Sequence, residues 1–377
     1  MPKPLGTKAV YMPGLDGLRA LAVFAVIFYH LGASWAPGGL LGVGVFFTLS
    51  GYLITDLLLG HIRNHGRIMF GDFYFRRAKR LLPALYVMLA LVLFYITLFQ
   101  RDLLSSLPGD VIAALLYVSN WWYIYHHVSY FQSFIPSPFT HLWSLAVEEQ
   151  FYLIWPLVLI LLVKFVKSDV AKVLLTLALA AASAVAMGYL YHPGTVPNLV
   201  YYSTDTRAFA LLIGAALAFV WPSTRLPSMH PAVRDGITVL GVAGLGLFVW
   251  MVLYTTEYQT FMYRGGMVLL ALGTMFLVQA LTIPNSLLSI ALGSRPLRWL
   301  GVRSYAIYLW HYPIVALSSG LLARINNNHL LYDAIVVAGT VLISGLSWHF
   351  VENPIRRMRL NPVSGRHSPI SMQERAL

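Results

Sequence analysis

Residues 11–30 read YMPGLDGLRALAVFAVIFYH, a run of apolar side chains interrupted by Asp16 and Arg19 near its start and His30 at its end. About 20 apolar residues are enough for a helix to cross the hydrocarbon core of a bilayer. Ionisable side chains inside such a helix are costly and rare, and by default they mark a functional site. The stretch therefore predicts a membrane-spanning helix that carries part of a functional site.

The rest of the chain has the same apolar character. Of its 377 residues, 58% are hydrophobic and 11% are charged, and the mean hydropathy is +0.69, whereas soluble domains carry about 25% charged residues. We therefore predict an all-α, polytopic membrane protein. The sequence contains no cysteine, which excludes thiol nucleophiles, disulfides and cysteine metal ligands. No other residues have the spacing of a metal site, so we expect neither a metal nor a bound cofactor.

Ten apolar runs have the length of a membrane span. They lie at 15–34, 40–60, 82–99, 141–166, 170–191, 207–223, 236–256, 262–282, 304–323 and 333–353. Segment 109–127, GDVIAALLYVSNWWYIYHH, is a further apolar candidate, but it is crowded with aromatic and amide side chains.

The distribution of charge decides whether 109–127 crosses the membrane. If it does not, and the N-terminus is cytoplasmic, all 26 Lys and Arg residues lie on the cytoplasmic side except Arg101, Arg207, Arg264 and Arg324. If it does, the later basic clusters face outward, against the positive-inside rule. We therefore predict about ten spans, both termini in the cytoplasm, and 109–127 as an outer interfacial or re-entrant helix. This topology accounts for the net charge of +12 without a nucleic-acid partner.

The topology divides the chain into a cytoplasmic N-terminus at 1–14, a transmembrane domain at 15–353 and a polar cytoplasmic tail at 354–377. The first cytoplasmic loop, 61–84, is strongly basic and contains Arg63, Arg67, Arg76, Arg77, Lys79 and Arg80. Such a loop anchors a protein to anionic lipid, but clustered arginines also suit the phosphates of a soluble ligand. Both interpretations are compatible with the sequence.

Arg19 and His30 share one face of the first helix. Eleven residues correspond to three helical turns plus about 20°, and to a rise of about 16 Å. Arg19 is expected near the cytoplasmic interface and His30 in the outer half of the span. Histidine is the commonest general base near neutral pH, so we predict that His30 is catalytic. Asp16 is expected to cap the helix and to pair with Arg19.

Two adjacent carboxylates, Glu148 and Glu149, lie in the segment HLWSLAVEEQFYLIWP at 141–156. Neighbouring residues of a helix point about 100° apart, so the two cannot face one site. One is expected to orient a base or a substrate, and the other to pair with a neighbouring helix. His141, at the start of this segment, is a second candidate base.

Further polar residues lie at the ends of later spans. The segment YYSTDTRAFALLIGA at 201–215 places Tyr202, Asp205 and Arg207 at the outer mouth of the sixth span, where the alternative is an ordinary helix N-cap with a local ion pair. His311 precedes Pro313 in the ninth span. The glycine-rich span at 38–55 is expected to pack closely against other helices.

Seven of these stretches, taken together and in order, resemble the acyltransferase 3 family of membrane O-acyltransferases over about residues 11–357. The stretches are GLDGLRALAVFAVIFYH, GGLLGVGVFFTLSGYLIT, FYFRRAKRLLPAL, HLWSLAVEEQFYLIWP, TDTRAFALLIGAALA, WLGVRSYAIYLWHYPI and VENPIRR. The resemblance implies a multi-pass protein of the bacterial cytoplasmic membrane. It further implies transfer of an acyl group, usually acetyl, from cytoplasmic acyl-CoA to a hydroxyl of an extracytoplasmic or lipid-linked glycan.

The resemblance also assigns roles to residues. The family's Arg-x10-His motif falls on Arg19 and His30, its glutamate motif on Glu148 and Glu149, and its basic motif on Arg76, Arg77 and Arg80. The closest type is the peptidoglycan O-acetyltransferase, in which an extracellular tyrosine relays the acyl group, and Tyr202 is the nearest match. We thus expect four catalytic residues, with Glu148 orienting the His30 imidazole: His30, Arg19, Glu148 and Tyr202. Donor or substrate binding is expected from Arg76, Arg77, Arg80, Glu149, Asp205, Arg207 and His311.

Two departures from the family bear on the acceptor. Many relatives carry an acidic residue where this chain has Gly44. Peptidoglycan-type members often continue into an extracellular esterase-like domain, which these 377 residues do not include. We expect either a separate extracytoplasmic transferase or direct acylation of the glycan.

Two other classes of function fit the composition. A glycolipid transporter or flippase also has many spans and buried charges, but the sequence shows no duplicated half with paired broken helices. A structural subunit of an envelope-synthesis complex leaves Arg19 and His30 unexplained.

Overall fold

The computed structural model describes residues 11–131, 137–223 and 230–358, and these ranges are all-helical. The α-helices are α1 Pro13–His30, α2 Gly42–His65, α3 Phe70–Phe99, α4 Leu107–Leu115, α5 Ser119–Tyr125, α6 Trp143–Phe165, α7 Asp169–Leu190, α8 Asn198–Tyr202 and α9 Thr204–Val220, followed by α10 Pro231–Tyr254, α11 Met267–Thr282, α12 Leu287–Leu292, α13 Arg295–Val302, α14 Ser304–Leu317, α15 Ser319–Arg324, α16 His329–Ser347 and α17 Asn353–Arg357. A kink at Met262–Gly266, where Gly265 adopts a φ of 138°, leads into α11, and a turn of π-helix at Trp348–Glu352 leads into α17.

Eight helical segments in the described ranges are long and apolar enough to cross a membrane. They are Gly39–His65, Phe70–Phe99, Thr140–Phe165, Asp169–Leu190, Asn198–Val220, Pro231–Tyr254, Met262–Thr282 and His329–Arg357. Each corresponds to a predicted span, so the prediction of an all-α polytopic membrane protein is confirmed. N-terminal residues 1–10 and most of the predicted tail lie outside the described residues.

Helices α1 and α14 correspond to the two remaining predicted spans. Helix α1 has 18 residues and includes Asp16, Arg19 and His30, which lower its hydropathy. Helix α14 has 14 residues, or about 21 Å at 1.5 Å per residue, which is shorter than the roughly 30 Å hydrocarbon core. The count of ten spans and the cytoplasmic position of both termini therefore stay predictions.

Segment 109–127 forms two short helices instead of the single helix that we expected. Helix α4 has nine residues and α5 has seven, and between them Tyr117 adopts a positive φ of 53°, which ends the first helix. The Trp122 Nε1 donates a hydrogen bond of 2.8 Å to Asp110 and joins the two. Neither helix is long enough to span a bilayer.

Glycines let the central helices approach one another closely. Gly51 of α2 lies against the main-chain oxygen of Leu211, and Gly214 of α9 lies against that of Thr48, so a Cβ at either position would collide with backbone. The expectation that the glycine-rich second span packs closely is confirmed. As a result, 83% of the most apolar stretch of Gly39–His65 is buried. The same fraction is 22% for Asp169–Leu190 and for His329–Arg357, so these two helical segments present most of their surface outward.

Helix α1 lies inside the bundle and positions the candidate site. Leu18, Val23, Val26 and Ile27 are completely buried, and α1 packs against α2, α12, α13 and α14. Because α14 also packs against α3 and α16, the C-terminal part of the chain closes around the first helix.

Candidate active site

His30 lies at the centre of a hydrogen-bonded chain. Its Nδ1 is 3.0 Å from Nε2 of His311, and its Nε2 is 2.7 Å from the hydroxyl of Tyr130. The three residues come from the end of α1, from the middle of α14 and from the loop after α5. Both nitrogens of the His30 imidazole therefore have partners.

The direction of the hydrogen bonds follows from one backbone carbonyl. Nδ1 of His311 lies 2.6 Å from the carbonyl oxygen of Tyr308, which can only accept, so this nitrogen carries the proton. In the neutral imidazole, Nε2 of His311 is then an acceptor, and Nδ1 of His30 must donate to it. This leaves Nε2 of His30 unprotonated and facing the Tyr130 hydroxyl. The arrangement presents a base to a phenol.

The exposure of these groups separates reacting groups from supporting groups. His30 and Tyr130 are both partly exposed, whereas His311 is completely buried. His141 is also completely buried, with Nε2 at 3.1 Å from the carbonyl oxygen of Leu309 and its ring 5.4 Å from that of His311. A substrate can therefore reach His30 and Tyr130, while His311 and His141 lie behind them.

Aromatic rings surround Tyr130. Its ring centroid lies 5.1 Å from that of Tyr201, 6.0 Å from Tyr202, 6.1 Å from Trp143 and 6.3 Å from Tyr29. Desolvation by these neighbours raises the pKa of the Tyr130 phenol well above its ordinary value. The hydroxyl therefore keeps its proton at neutral pH unless a base in contact removes it, and His30 is such a base.

Tyr130 is the residue that the sequence did not reveal. The ring of the predicted relay residue, Tyr202, is a direct neighbour of the Tyr130 ring. The buried hydroxyl of Tyr202 has no hydrogen-bond partner among the described residues. Tyr130 follows two short helices and belongs to no helical pattern. Only the fold of the connecting segment brings it to His30, which lies 100 positions earlier.

The two adjacent glutamates point in different directions, as expected, but neither contacts His30. Glu148 accepts a hydrogen bond of 2.7 Å from Ser50, and Glu149 pairs with Arg77 of α3 at 2.7 Å. The expected pairing of one carboxylate with a neighbouring helix is confirmed for Glu149. The expected orientation of the His30 imidazole by Glu148 is replaced by His311, because the imidazole has no nitrogen left for a carboxylate.

Arginines converge at the opposite end of α1. Arg19 pairs with Asp16 at 3.5 Å, as expected, although Met12 occupies the helix N-cap position. Arg80 lies within electrostatic range of Arg19 and Arg77, and also of Arg356 from α17. Arg356 belongs to the VENPIRR stretch of the family resemblance, but the sequence analysis assigned it no binding role.

Not every predicted binding residue joins these two groups. Arg76 pairs with Asp72 of its own helix and is partly exposed. Asp205 is exposed and Arg207 is buried, so the local ion pair that the sequence allowed is not formed. Within the described ranges, no group of three or more His, Asp or Glu residues is arranged to hold a metal ion.

Known proteins are similar in sequence to this chain over most of its length. The family described as an acyltransferase domain, Acyl_transf_3, matches residues 12–349. The peptidoglycan O-acetyltransferase OatA of Listeria monocytogenes is 49% identical over 351 residues, which cover 92% of this chain and 56% of that protein. The O-acetyltransferase OatA of Staphylococcus aureus is 38% identical over 349 residues, covering 92% of this chain and 57% of that protein. The chain thus spans about half the length of these relatives. No solved structure matches it. On the extent of the family match, the chain belongs to the acyltransferase 3 family of membrane acyltransferases.

Proposed function

We propose that this protein transfers an acetyl group from cytoplasmic acyl-CoA to a hydroxyl of peptidoglycan, on the outer side of the bacterial cytoplasmic membrane. The observation that carries the proposal is the 2.7 Å contact between Nε2 of His30 and the hydroxyl of Tyr130, in a chain whose family performs acyl transfer. The substrate is inferred from the activity for which the relative in Listeria monocytogenes is named.

The donor binds at the end of the bundle where the arginines converge. Acyl-CoA carries several phosphates, and guanidinium groups bind phosphate oxygens with charge-assisted hydrogen bonds. Arg19, Arg80 and Arg356 supply three positive charges from α1, α3 and α17. Arg19 lies about 16 Å along the helix from His30, so the flexible arm of the donor has to carry the thioester through the bundle to reach the histidine.

The first chemical step forms an acyl-tyrosine. Nε2 of His30 accepts the proton of the Tyr130 hydroxyl while the phenolic oxygen attacks the thioester carbonyl carbon. The carbonyl oxygen carries the negative charge of the tetrahedral intermediate. The carbon–sulfur bond then breaks, and the leaving thiolate takes the proton back from the imidazolium. His311 accepts the Nδ1–H hydrogen bond of His30 throughout, which holds the ring in the required tautomer.

The second step releases the acyl group to the acceptor. A glycan hydroxyl donates its proton to the neutral His30, and its oxygen attacks the ester carbonyl carbon of acyl-Tyr130. The ester bond to the tyrosine breaks, and the phenolate recovers its proton from the imidazolium. The acceptor is the glycan itself or a separate extracytoplasmic transferase that passes the acetyl group to the glycan.

Proteoliposomes that contain the purified protein test this function. With acetyl-CoA labelled in the acetyl group and a soluble glycan acceptor, we expect alkali-labile label on the glycan with the wild-type protein and none with His30→Ala. Mass spectrometry of the glycan identifies the acetyl ester. A glycan that stays unmodified with well-folded wild-type protein, while a labelled glycolipid crosses the bilayer, would support the transporter alternative instead.

A further inference from the structure

Arg207 is a charged side chain in the interior of the bundle. It is 2% exposed and lies in the first turn of α9. Its guanidinium carbon lies 5.1 Å from the ring centroid of Tyr201 and 5.6 Å from that of Phe47, and Nη1 contacts the sulfur of Met267. A thioether is a weak acceptor, so the surroundings of this cation are rings and sulfur.

Arg207 has no counter-ion among the described residues. The carboxylate nearest in sequence, Asp205, is exposed on the other side of the helix, and the buried Nε of Arg207 has no hydrogen-bond partner in the described part of the chain. The negative faces of two rings compensate a cation only partly. Burying a charge without a partner costs stability. Fold stability therefore does not account for an arginine at this position.

The position of Arg207 relative to the candidate site supplies an explanation. The Tyr201 ring is a neighbour of both Arg207 and Tyr130, since its centroid lies 5.1 Å from the guanidinium carbon and 5.1 Å from the centroid of the Tyr130 ring. Nε2 of His30 contacts the hydroxyl of the same Tyr130. Tyr130 thus has a base in contact with its hydroxyl and a fixed positive charge beside a ring that it contacts.

We propose that Arg207 is the fixed positive charge that stabilises the anion formed at Tyr130 during acyl transfer. The inference rests on the proposed function, in which a negative charge develops on the tyrosine oxygen and then on the attacked carbonyl oxygen. A charge fixed in a site with little water acts strongly over such distances and needs no reorganisation when the anion forms. Arg207 acts through space on the reacting groups, at the expense of the stability of the fold.

The proposal predicts opposite effects on stability and activity. Arg207→Met replaces the cation with an apolar chain that suits the rings and Met267, so we expect an unchanged or higher melting temperature. The transfer rate should fall on the order of 10²–10³-fold, as when a preorganised electrostatic group is removed. The loss should appear in kcat, with the KM for acetyl-CoA unchanged. Arg207→Lys keeps a charge and should recover part of the rate.

Arg264→Met is the matched control, because Arg264 is an exposed arginine. It lies three residues before Met267, the first residue of α11. We expect this variant to transfer acetyl groups at the wild-type rate. The proposal is overturned if Arg207→Met melts several degrees lower, since the arginine then supports the fold. It is also overturned if Arg207→Met stays folded with normal kcat, or if neither Arg207 variant folds.

Tyr130→Phe separates this inference from the proposed function. If Tyr130→Phe loses transfer while Arg207→Met retains it, only the role of Arg207 fails. If Tyr130→Phe retains normal transfer, the acyl-tyrosine step fails, and the role of Arg207 fails with it.

Discussion

His30 and His311 are 281 positions apart in the sequence, and their ring nitrogens are 3.0 Å apart in the structure. The contact links the first helix to α14, and the carbonyl of Tyr308 determines which nitrogen of each ring carries a proton. A completely buried histidine thereby controls the protonation of a partly exposed one. The hydrogen bond from His30 to His311 takes the place of the carboxylate that orients the histidine in many hydrolytic triads.

The first prediction concerns His311. His311→Ala removes the acceptor of the His30 Nδ1 proton, so the imidazole is free to take the tautomer that cannot accept a proton from Tyr130. We expect the transfer rate to fall on the order of 10²-fold or more, as for other losses of general-base function. His311→Gln offers a carbonyl acceptor at a similar position and should recover part of the rate.

The measurement is single-turnover transfer by proteoliposomes that contain equal amounts of folded protein. His61→Gln serves as the control, because His61 lies near the far end of α2. An unchanged rate in folded His311→Ala protein would mean that the contact between the two histidines has no part in the reaction.

The second prediction compares Tyr130 with Tyr202. Tyr130→Phe keeps the ring and removes the hydroxyl at 2.7 Å from His30, so we expect loss of about 10²–10⁴-fold, the range for general acid–base and nucleophile contacts. Tyr202→Phe removes a hydroxyl that has no partner among the described residues and should have a smaller effect. Trapping with labelled donor should yield an acyl-tyrosine peptide that contains residue 130. Label recovered at residue 202 instead would restore the relay predicted from the sequence.

Sequence patterns predicted elements and faces, but not partners. Apolar runs located eight helices that the structure describes as long enough to span a membrane, and helical spacing placed Arg19 and His30 on one face. The sequence also placed His311 in the ninth span, ahead of Pro313, but periodicity does not indicate which helix lies opposite. Tyr130 was missed because it lies in a connecting segment, where no periodic pattern exists and tertiary contacts alone fix the position.

The third prediction concerns topology. Tags inserted after residues 130 and 196 should report from the outer side, and tags after residues 65, 168, 228 and 298 from the cytoplasm. The reason is that α4 and α5 are too short to cross the bilayer, which keeps most lysines and arginines inside. Accessibility of single introduced cysteines to an impermeant reagent measures the side directly, since the chain has no cysteine of its own. Outward labelling at residues 168 and 228 would contradict the prediction.

The fourth prediction concerns Asp110, in segment 109–127 outside the predicted spans. Its ionisation should make the stability of the fold depend on pH. Burial raises the pKa of the Asp110 carboxyl above its ordinary value, although hydrogen bonds from Ser137 and Trp122 oppose the shift. Ionised Asp110 therefore destabilises the fold, beginning above the ordinary pKa of the carboxyl and fully above its raised value. Asp110→Asn keeps an acceptor for Trp122 and should melt at a higher temperature than wild type at pH 8. The difference should disappear at a pH below the ordinary pKa. A constant difference at all pH values would exclude ionisation as its cause.

The last prediction concerns the arginines near the Arg19 end of α1, which differ in their partners and should therefore differ in their effect on donor binding. Arg76 pairs with Asp72 on its own helix, and Arg77 is held by Glu149 and lies 3.4 Å over the ring of Tyr152. Arg80 instead lies among other arginines, including Arg356, with the buried Glu352 also within electrostatic range, and a surplus of positive charge at one place favours an anionic ligand. Arg80→Gln and Arg356→Gln should therefore raise the KM for acetyl-CoA about tenfold or more and leave kcat nearly unchanged. Arg76→Gln should change KM far less, because the Arg76 guanidinium is already paired with Asp72. Transfer rates at varied acetyl-CoA concentration in low and high salt give both constants, and the effect of Arg80→Gln should shrink as salt screens the donor phosphates. If all three variants weaken donor use equally, the loop acts as a diffuse basic surface; if none does, the donor binds elsewhere.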